Sequence, residues 1–201
     1  MAGNNIAYRY SPNPDTVYLN ITNRCSNNCC FCVRNFSSVL SGYNLWLQKE
    51  PTANEIWSSF QKERKSSDWE TVWCGFGEPT IRLNELLTIT QKIKKYYPHT
   101  YIRLNTDGLA QVRNPERNVA QELGAAGVDS ISISLNAENQ EKYDLLCNPA
   151  IPGSYRSLLK FAENCKGHIP EVRLTVVHIS GINLRACEKI AKELGCSFKI
   201  R

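Results

Sequence analysis

No stretch of 18 consecutive apolar residues occurs in this 201-residue chain, which excludes a membrane-spanning helix of ordinary length. The opening, MAGNNIAYRYSPNPD, lacks the basic-then-apolar build of a secretory leader, so the expected compartment is the cytoplasm. Internal repeats and low-complexity tracts are absent, which argues against solenoids and disordered linkers. Charge of one sign is not dominant: 24 basic residues face 19 acidic ones, a formal +5 spread along the chain. No basic stripe is interleaved with aromatics, so a nucleic-acid-binding face does not stand out. Histidine is scarce, with three residues, His99, His168 and His178. Cysteine is not scarce: there are nine, and four fall within CSNNCCFC, residues 25–32. In a cytoplasmic protein such a cluster reads as metal binding or catalysis rather than as a disulfide framework.

The rest of the chain alternates between two periodicities. Segments 17–22, 70–76, 101–106, 128–137, 171–180 and 196–201 read as strands, rich in β-branched and aromatic residues. Between them, 52–66, 84–97, 115–127, 139–147, 154–165 and 183–195 read as helices. Thr52 and Glu55 form a capping box, Pro115 marks a helix start, and Gly127 and Gly195 mark helix ends. Six strands alternating with helices imply parallel strands and right-handed crossovers, in an open doubly wound sheet or in part of a (β/α) barrel. Either way the site lies at the carboxyl ends of the strands. The unusual segments gather there: CSNNCCFC, GFGEPT, NTDG and SLNA follow the first four strands in turn.

Zinc and an iron–sulfur cluster are the two metals to weigh. A structural zinc site needs four nitrogen or sulfur ligands. One hairpin here offers three thiols, Cys25, Cys29 and Cys32, and no histidine lies near them in sequence. Cys30 adjoins Cys29, and neighbouring side chains diverge, so it is expected to be a small packed thiol rather than a ligand. Three cysteines on a cubane [4Fe–4S] cluster leave one iron open to bind and activate a further group.

C-x3-C-x2-C with an aromatic before the last cysteine, here Phe31, resembles the signature of the radical S-adenosylmethionine (SAM) superfamily. The resemblance implies that Cys25, Cys29 and Cys32 hold a [4Fe–4S] cluster and that SAM chelates the open iron through its methionine amine and carboxylate. One electron then cleaves the sulfonium and yields a 5′-deoxyadenosyl radical that abstracts hydrogen from a substrate. Phe76, Gly77, Glu78 and Pro79 occupy the place of the superfamily's Gly-Gly-Glu-Pro segment, with Phe76 standing where glycine is usual and Gly75 before it to supply flexibility. A carboxylate and exposed backbone carbonyls suit the methionine ammonium. Glycine permits close approach and proline fixes the turn. For the nucleoside, Asn105, Thr106, Ser134 and Asn136 are candidates, since ribose hydroxyls need paired donors and acceptors. Ser132, Ser134 and Asn136 share a face at period two. Asn136 and Asp107 could instead cap the following helices, and Asp107 is assigned to turn chemistry. Phe31, Val176 and Val177 are candidates for an apolar adenine slot, the valines being equally suited to the core.

CSNNCCFCVRNF, LWLQKEPTANEI, WCGFGEPTIRL, RLNTDGLA and VDSISISLNA together resemble the small radical SAM proteins associated with TatD-type nucleases. That resemblance implies a single-domain partial (β/α)6 barrel over 17–201, with 1–16 as an N-terminal segment. It also implies a reductant such as flavodoxin or ferredoxin, and it suggests a TatD-type nuclease as a partner, without supplying a reaction or an oligomeric state. Some relatives carry an auxiliary cluster in a cysteine-rich C-terminal extension. None is expected here, where Cys74, Cys147, Cys165, Cys187 and Cys196 lie far apart and read as buried free thiols. The tryptophans Trp57, Trp69 and Trp73 are expected to pack, and Trp46 sits in a long loop, 33–51, that could cover the pocket. The competing reading is a non-catalytic iron–sulfur or zinc module that binds a nuclease or nucleic acid. Glu78 together with four strand-end motifs favours the enzyme.

Overall fold

The computed structural model describes residues 5–201. It contains β1 (Ala7–Tyr10), β2 (Asn13–Leu19), β3 (Val39–Leu40), β4 (Tyr43–Asn44), α1 (Ala53–Glu63), β5 (Glu70–Trp73), α2 (Leu83–Tyr96), β6 (Tyr101–Thr106), α3 (Ala110–Arg113), α4 (Val119–Ala126), β7 (Ser130–Ser134), α5 (Gln140–Cys147), α6 (Ser154–Cys165), β8 (Glu171–Val176), α7 (Leu184–Glu193) and β9 (Ser197–Ile200). Seven strands form one sheet in the order β1-β2-β5-β6-β7-β8-β9. All neighbours from β2 to β9 pair in parallel, and β1 adds an antiparallel edge. The chain is thus a single α/β domain on an open, mostly parallel sheet, and the sheet does not close into a complete barrel.

Period two along each strand sorts the side chains. Val17, Leu19, Trp73, Ile102, Leu104, Ile131, Ile133, Leu174 and Val176 are buried in the main core, together with apolar residues of the helices. Alternate positions point to the other face and are largely polar: Glu70, Tyr101, Arg103, Asn105, Ser132, Ser134, Arg173 and Lys199. Toward the β1 edge this second face is apolar, and there Tyr8, Tyr18, Val72 and Phe76 bury the fully enclosed Leu45 of the long loop.

Several expected boundaries shift for local reasons. The first parallel strand begins at Asn13, and residues 7–10 of the N-terminal segment supply β1; residues 1–4 lie outside the described residues. The helix expected at 115–127 is broken: α3 ends at Arg113, and α4 starts at Val119, where the Asn118 side chain accepts a hydrogen bond from the Gln121 amide. Pro115 lies in the turn between them. The long loop holds a small hairpin, β3 with β4. The Thr52–Glu55 capping box forms as expected. Trp57 and Trp73 are buried, whereas Trp69, expected to pack, is 57% exposed and leans on the Tyr101 ring.

The turn after β5 is pressed against the chain entering the cysteine loop. The Glu78 amide donates to the Arg24 carbonyl at 2.8 Å. A Cβ on Gly77 would lie 2.3 Å from the Thr22 carbonyl oxygen and 2.6 Å from that of Arg24, both main-chain atoms that cannot swing aside. A Cβ on Gly75 would lie 2.1 Å from Asn20 Oδ1. Glycine is therefore required at 77 by close backbone approach. Gly77→Ala should cost about 1–3 kcal/mol, the usual range for overpacking, read as a lower urea midpoint at unchanged m-value. Gly167→Ala, where the nearest atom to the added Cβ is the Asn164 carbonyl oxygen at 4.0 Å, should shift stability by no more than about 0.5 kcal/mol.

Candidate active site

A cavity of about 400 Å³ opens at the carboxyl ends of the strands, a size suited to a small-molecule ligand. Cys25, Cys29 and Cys32 line it, and all three thiols are partly accessible. The other candidates from the sequence line it too, from Phe31, Gly75, Phe76, Gly77 and Glu78 to Asn105, Thr106, Ser134, Asn136 and Val177, with the exceptions of Pro79 and Val176. Pro79 is buried as the first residue of a short 3-10 helix, where its fixed φ suits the turn. Val176 is in the core, so of the two valines only Val177 reaches the cavity.

The cysteine loop is held by a distant segment. The Asn28 amide donates to the Cys147 carbonyl and the Cys30 amide to the Leu146 carbonyl, both at 2.9 Å, while the Ala150 amide donates to the Ser26 carbonyl at 2.8 Å. The loop thus leans on the end of α5, an anchor with no signature in the sequence. Cys30, expected to pack, is exposed, because the residue alternation that turns Cys29 toward the cavity turns Cys30 to solvent. The remaining cysteines follow the expectation in part: Cys147, Cys165 and Cys187 are buried, and Cys74 and Cys196 are partly accessible. Cys74 lines the cavity.

Phe76 resolves the departure from glycine at that position. Its ring turns into the apolar cluster around Leu45 and meets Trp46 edge-on at 5.4 Å, leaving its backbone on the cavity wall. The Asn20 carboxamide holds this segment, accepting from the Phe76 amide at 3.3 Å and donating to the Leu45 carbonyl at 2.8 Å.

Glu78 is buried, and its carboxylate is the centre of a network. Oε1 accepts from the Thr80 hydroxyl at 2.6 Å, the Thr80 amide at 3.0 Å and the Thr106 hydroxyl at 2.8 Å. Oε2 accepts from the Asp107 amide at 2.6 Å. Burial, and then the Asp107 carboxylate, push the Glu78 carboxyl up to about 7, against the pull of Arg113 and of the donors from Thr80 and Asp107. Asp107 uses one oxygen to accept from the Leu109 amide, the expected turn, and both to grip Arg113. Arg113 also reaches Ser26 in the cysteine loop at 2.8 Å and Thr80 at 2.6 Å. Arg113 and Thr80 were not legible as site residues, because their role depends on contacts spanning 33 to 87 positions.

Two buried acceptors on the cavity wall have no partner. Asn27 Oδ1 and Asn136 Oδ1 lack hydrogen bonds, although each Nδ2 is engaged, by the Tyr143 hydroxyl and by Cys147 Sγ respectively. Asn136 also holds a left-handed backbone, φ 57°, and does not cap a helix; Asn139 caps α5 instead. A left-handed non-glycine residue beside an orphaned acceptor is the kind of strain that functional sites carry. Such acceptors suit the hydroxyl and ammonium donors of a nucleoside sulfonium like SAM. Among the described residues no three His, Cys, Asp or Glu side chains converge on one metal position. A cubane takes its thiolates at separate corners. Among the described residues, too, no helix is long and apolar enough to cross a membrane.

The sequence profile of the Radical SAM superfamily matches residues 19–194. Two curated relatives are each described as a probable GTP 3′,8-cyclase. That of Methanosarcina acetivorans is 25% identical over 82% of this chain and 46% of its own length. That of Thermococcus kodakarensis is 24% identical over 82% of this chain and 48% of its own. The chain therefore spans about half the length of the curated relatives it matches. Among solved structures, the radical SAM methyltransferase TsrM from Kitasatospora setae, with tryptophan and a SAM analogue bound, aligns with a TM-score of 0.62 at 11% identity. The alignment covers 92% of this chain and 35% of that one, a likeness of fold. With the profile match spanning most of its length, the chain belongs to the radical SAM superfamily.

Proposed function

We propose that this protein is a radical SAM enzyme whose Cys25, Cys29 and Cys32 hold a [4Fe–4S] cluster. The observation that carries the reading is the meeting of these three thiols with the Glu78 turn and two orphaned acceptors in one cavity. When bound, the cluster supplies an electron that cleaves SAM to methionine and a 5′-deoxyadenosyl radical, which takes hydrogen from the substrate. The chain's own residues bind and orient. Backbone carbonyls of 75–77 and the unfilled side of Glu78 Oε2 receive the methionine ammonium. Asn27, Asn136 and the Ser134 hydroxyl take hydroxyl groups, and Phe31 and Val177 flank the adenine. Thr106 and Asn105 act mainly through neighbours, since the Thr106 hydroxyl donates to Glu78 and Asn105 Oδ1 accepts from Arg103. The Asn27 amide donates to Cys25 Sγ at 3.4 Å, a bond that favours negative charge on sulfur.

The electron would come from a reductant such as flavodoxin or ferredoxin. Nine free cysteines suit a reducing compartment, the cytoplasm. Motif wording also supports membership of the TatD-associated group, with a TatD-type nuclease as the partner; the substrate itself is open. The two cyclase relatives favour an enzyme over a passive binding module.

The experiment is anaerobic reconstitution with iron and sulfide, followed by SAM, a strong reductant and mass assay of 5′-deoxyadenosine. The wild-type protein should form it, and the Cys25→Ala/Cys29→Ala/Cys32→Ala variant should form none and hold no cluster iron. A fully loaded wild-type protein that binds no SAM would sink the reading. Glu78 adds a pH signature. Its raised value means that the carboxylate gains charge as pH climbs through about 7, so SAM affinity should strengthen between pH 6 and 8. Glu78→Ala should flatten that profile and weaken SAM by about 1.5–3 kcal/mol, the worth of a charged hydrogen bond, read by calorimetry.

A further inference from the structure

The polar face of the sheet carries a charge imbalance. Glu70 is occupied by Arg103, with Nε to Oε1 at 2.8 Å and Nη2 to Oε2 at 3.2 Å. Glu171 is occupied by Arg173 and by the Tyr101 hydroxyl. Two further cations on this face stand two residues apart on the last strand, Lys199 in β9 and Arg201 just beyond it. Neither forms an ion pair among the described residues. Lys199 shares a hollow with Glu70, Arg103, Glu171 and Arg173. Arg201 lines the cysteine cavity, and its Nη2 finds only a neutral acceptor, Ser134 Oγ, at 2.9 Å. The strand ladder fixes Arg201 in place: its amide donates to the Val176 carbonyl and its carbonyl accepts from the His178 amide. The residue as a whole is exposed, and its guanidinium reaches the cavity wall at Ser134.

We infer that Arg201, seconded by Lys199, forms a subsite for an oxyanion of the substrate, a carboxylate or a phosphate, between the SAM cavity and the polar face. A guanidinium presents a fixed fork of donors matched to either group. Here it stands where one side is the reactive cavity and the other is an unroofed polar wall. A substrate anchored by its anion on Arg201 would lie with its body across the thiol-lined cavity. The inference rests on the SAM reading of that cavity.

The test uses the reconstituted protein with SAM bound, titrated by calorimetry with inorganic pyrophosphate and, separately, with pyruvate. Binding of either is expected and identifies the class of anion. Arg201→Gln should weaken it about ten- to hundredfold, the worth of a charge-assisted hydrogen bond, and Arg201→Lys should restore part of the loss. Lys199→Gln should weaken it less. SAM affinity should be the same in all four proteins. The proposal is overturned if neither anion binds the wild type, if Arg201→Gln binds both as well as wild type, or if Arg201→Gln weakens SAM itself, which would place the guanidinium on SAM's own carboxylate. The wild-type SAM titration and 5′-deoxyadenosine assay on the same preparation report separately on the SAM reading.

Discussion

The backbone of Gly77 lies against the backbone of Thr22 and Arg24, with no room for a side chain between them. This contact fixes the entry to the cysteine loop relative to the strand-end turn that follows β5. From there the Glu78 carboxylate carries the constraint onward, binding Thr80 beside it and Thr106 and Asp107 at the end of β6. Arg113 closes the circuit from Asp107 back to Ser26. Loop, turn and two strand ends are thereby one unit. A displacement at any member would move the thiols relative to the two strand-end turns. Buried networks of this kind are costly when half satisfied and rigid when complete.

The two faces of the sheet follow from one sequence rule with two outcomes. Toward the helices, alternate residues are mostly apolar, Thr71 and Thr106 apart, because that face must bury against α1, α2, α4, α6 and α7. The opposite face has no helix to cover it. Near β1 it is closed by the long loop, whose Leu45 enters the cluster of Tyr8, Tyr18, Val72 and Phe76. Farther along, from β6 to β9, no helix among the described residues lies over it and the residues turn polar and charged. The transition falls at Phe76. One side chain therefore sets the edge of the covered half, while its backbone forms part of the cavity wall.

Much of this was legible in the sequence. Period-two patterning and helix signals placed six parallel strands along the chain but left their order in the sheet open, and the cysteine spacing singled out the loop at the first strand end. All the candidate residues except Pro79 and Val176 reached one cavity, because strand-end position alone brings such residues together in parallel α/β sheets. What sequence could not reveal were contacts between remote segments. The clamp of residues 146–150 on the cysteine loop, the Arg113 bridge and the reach of Arg201 to Ser134 each depend on how the sheet curves, which no local pattern encodes. The strand at Ala7–Tyr10 was missed for a different reason: it is a four-residue antiparallel edge, outside the alternation that identified the others. Cys30 was misplaced because apolar character was given more weight than the alternation that sends its neighbour inward.

The surroundings of the thiols decide how readily they give up their protons. Burial, and after it the Glu78 carboxylate, push the Cys25 thiol up to about 12. Cys29 is raised further, first by its hydrogen bond with Cys147 and then by burial. At both sulfurs the neutral thiol is favoured, a weaker nucleophile than the thiolate. Iron would reverse that balance, since a coordinating thiol gives up its proton to the metal. The carboxylates of Glu78 and Asp107 work against thiolate at Cys25, and Arg113 stands between these charges, reaching Ser26 at the start of the loop. A cluster held by Cys25, Cys29 and Cys32 would relieve the burial cost at Cys25 and Cys29 by taking their protons, and the Asn27 amide that meets Cys25 Sγ would then donate to a charged sulfur.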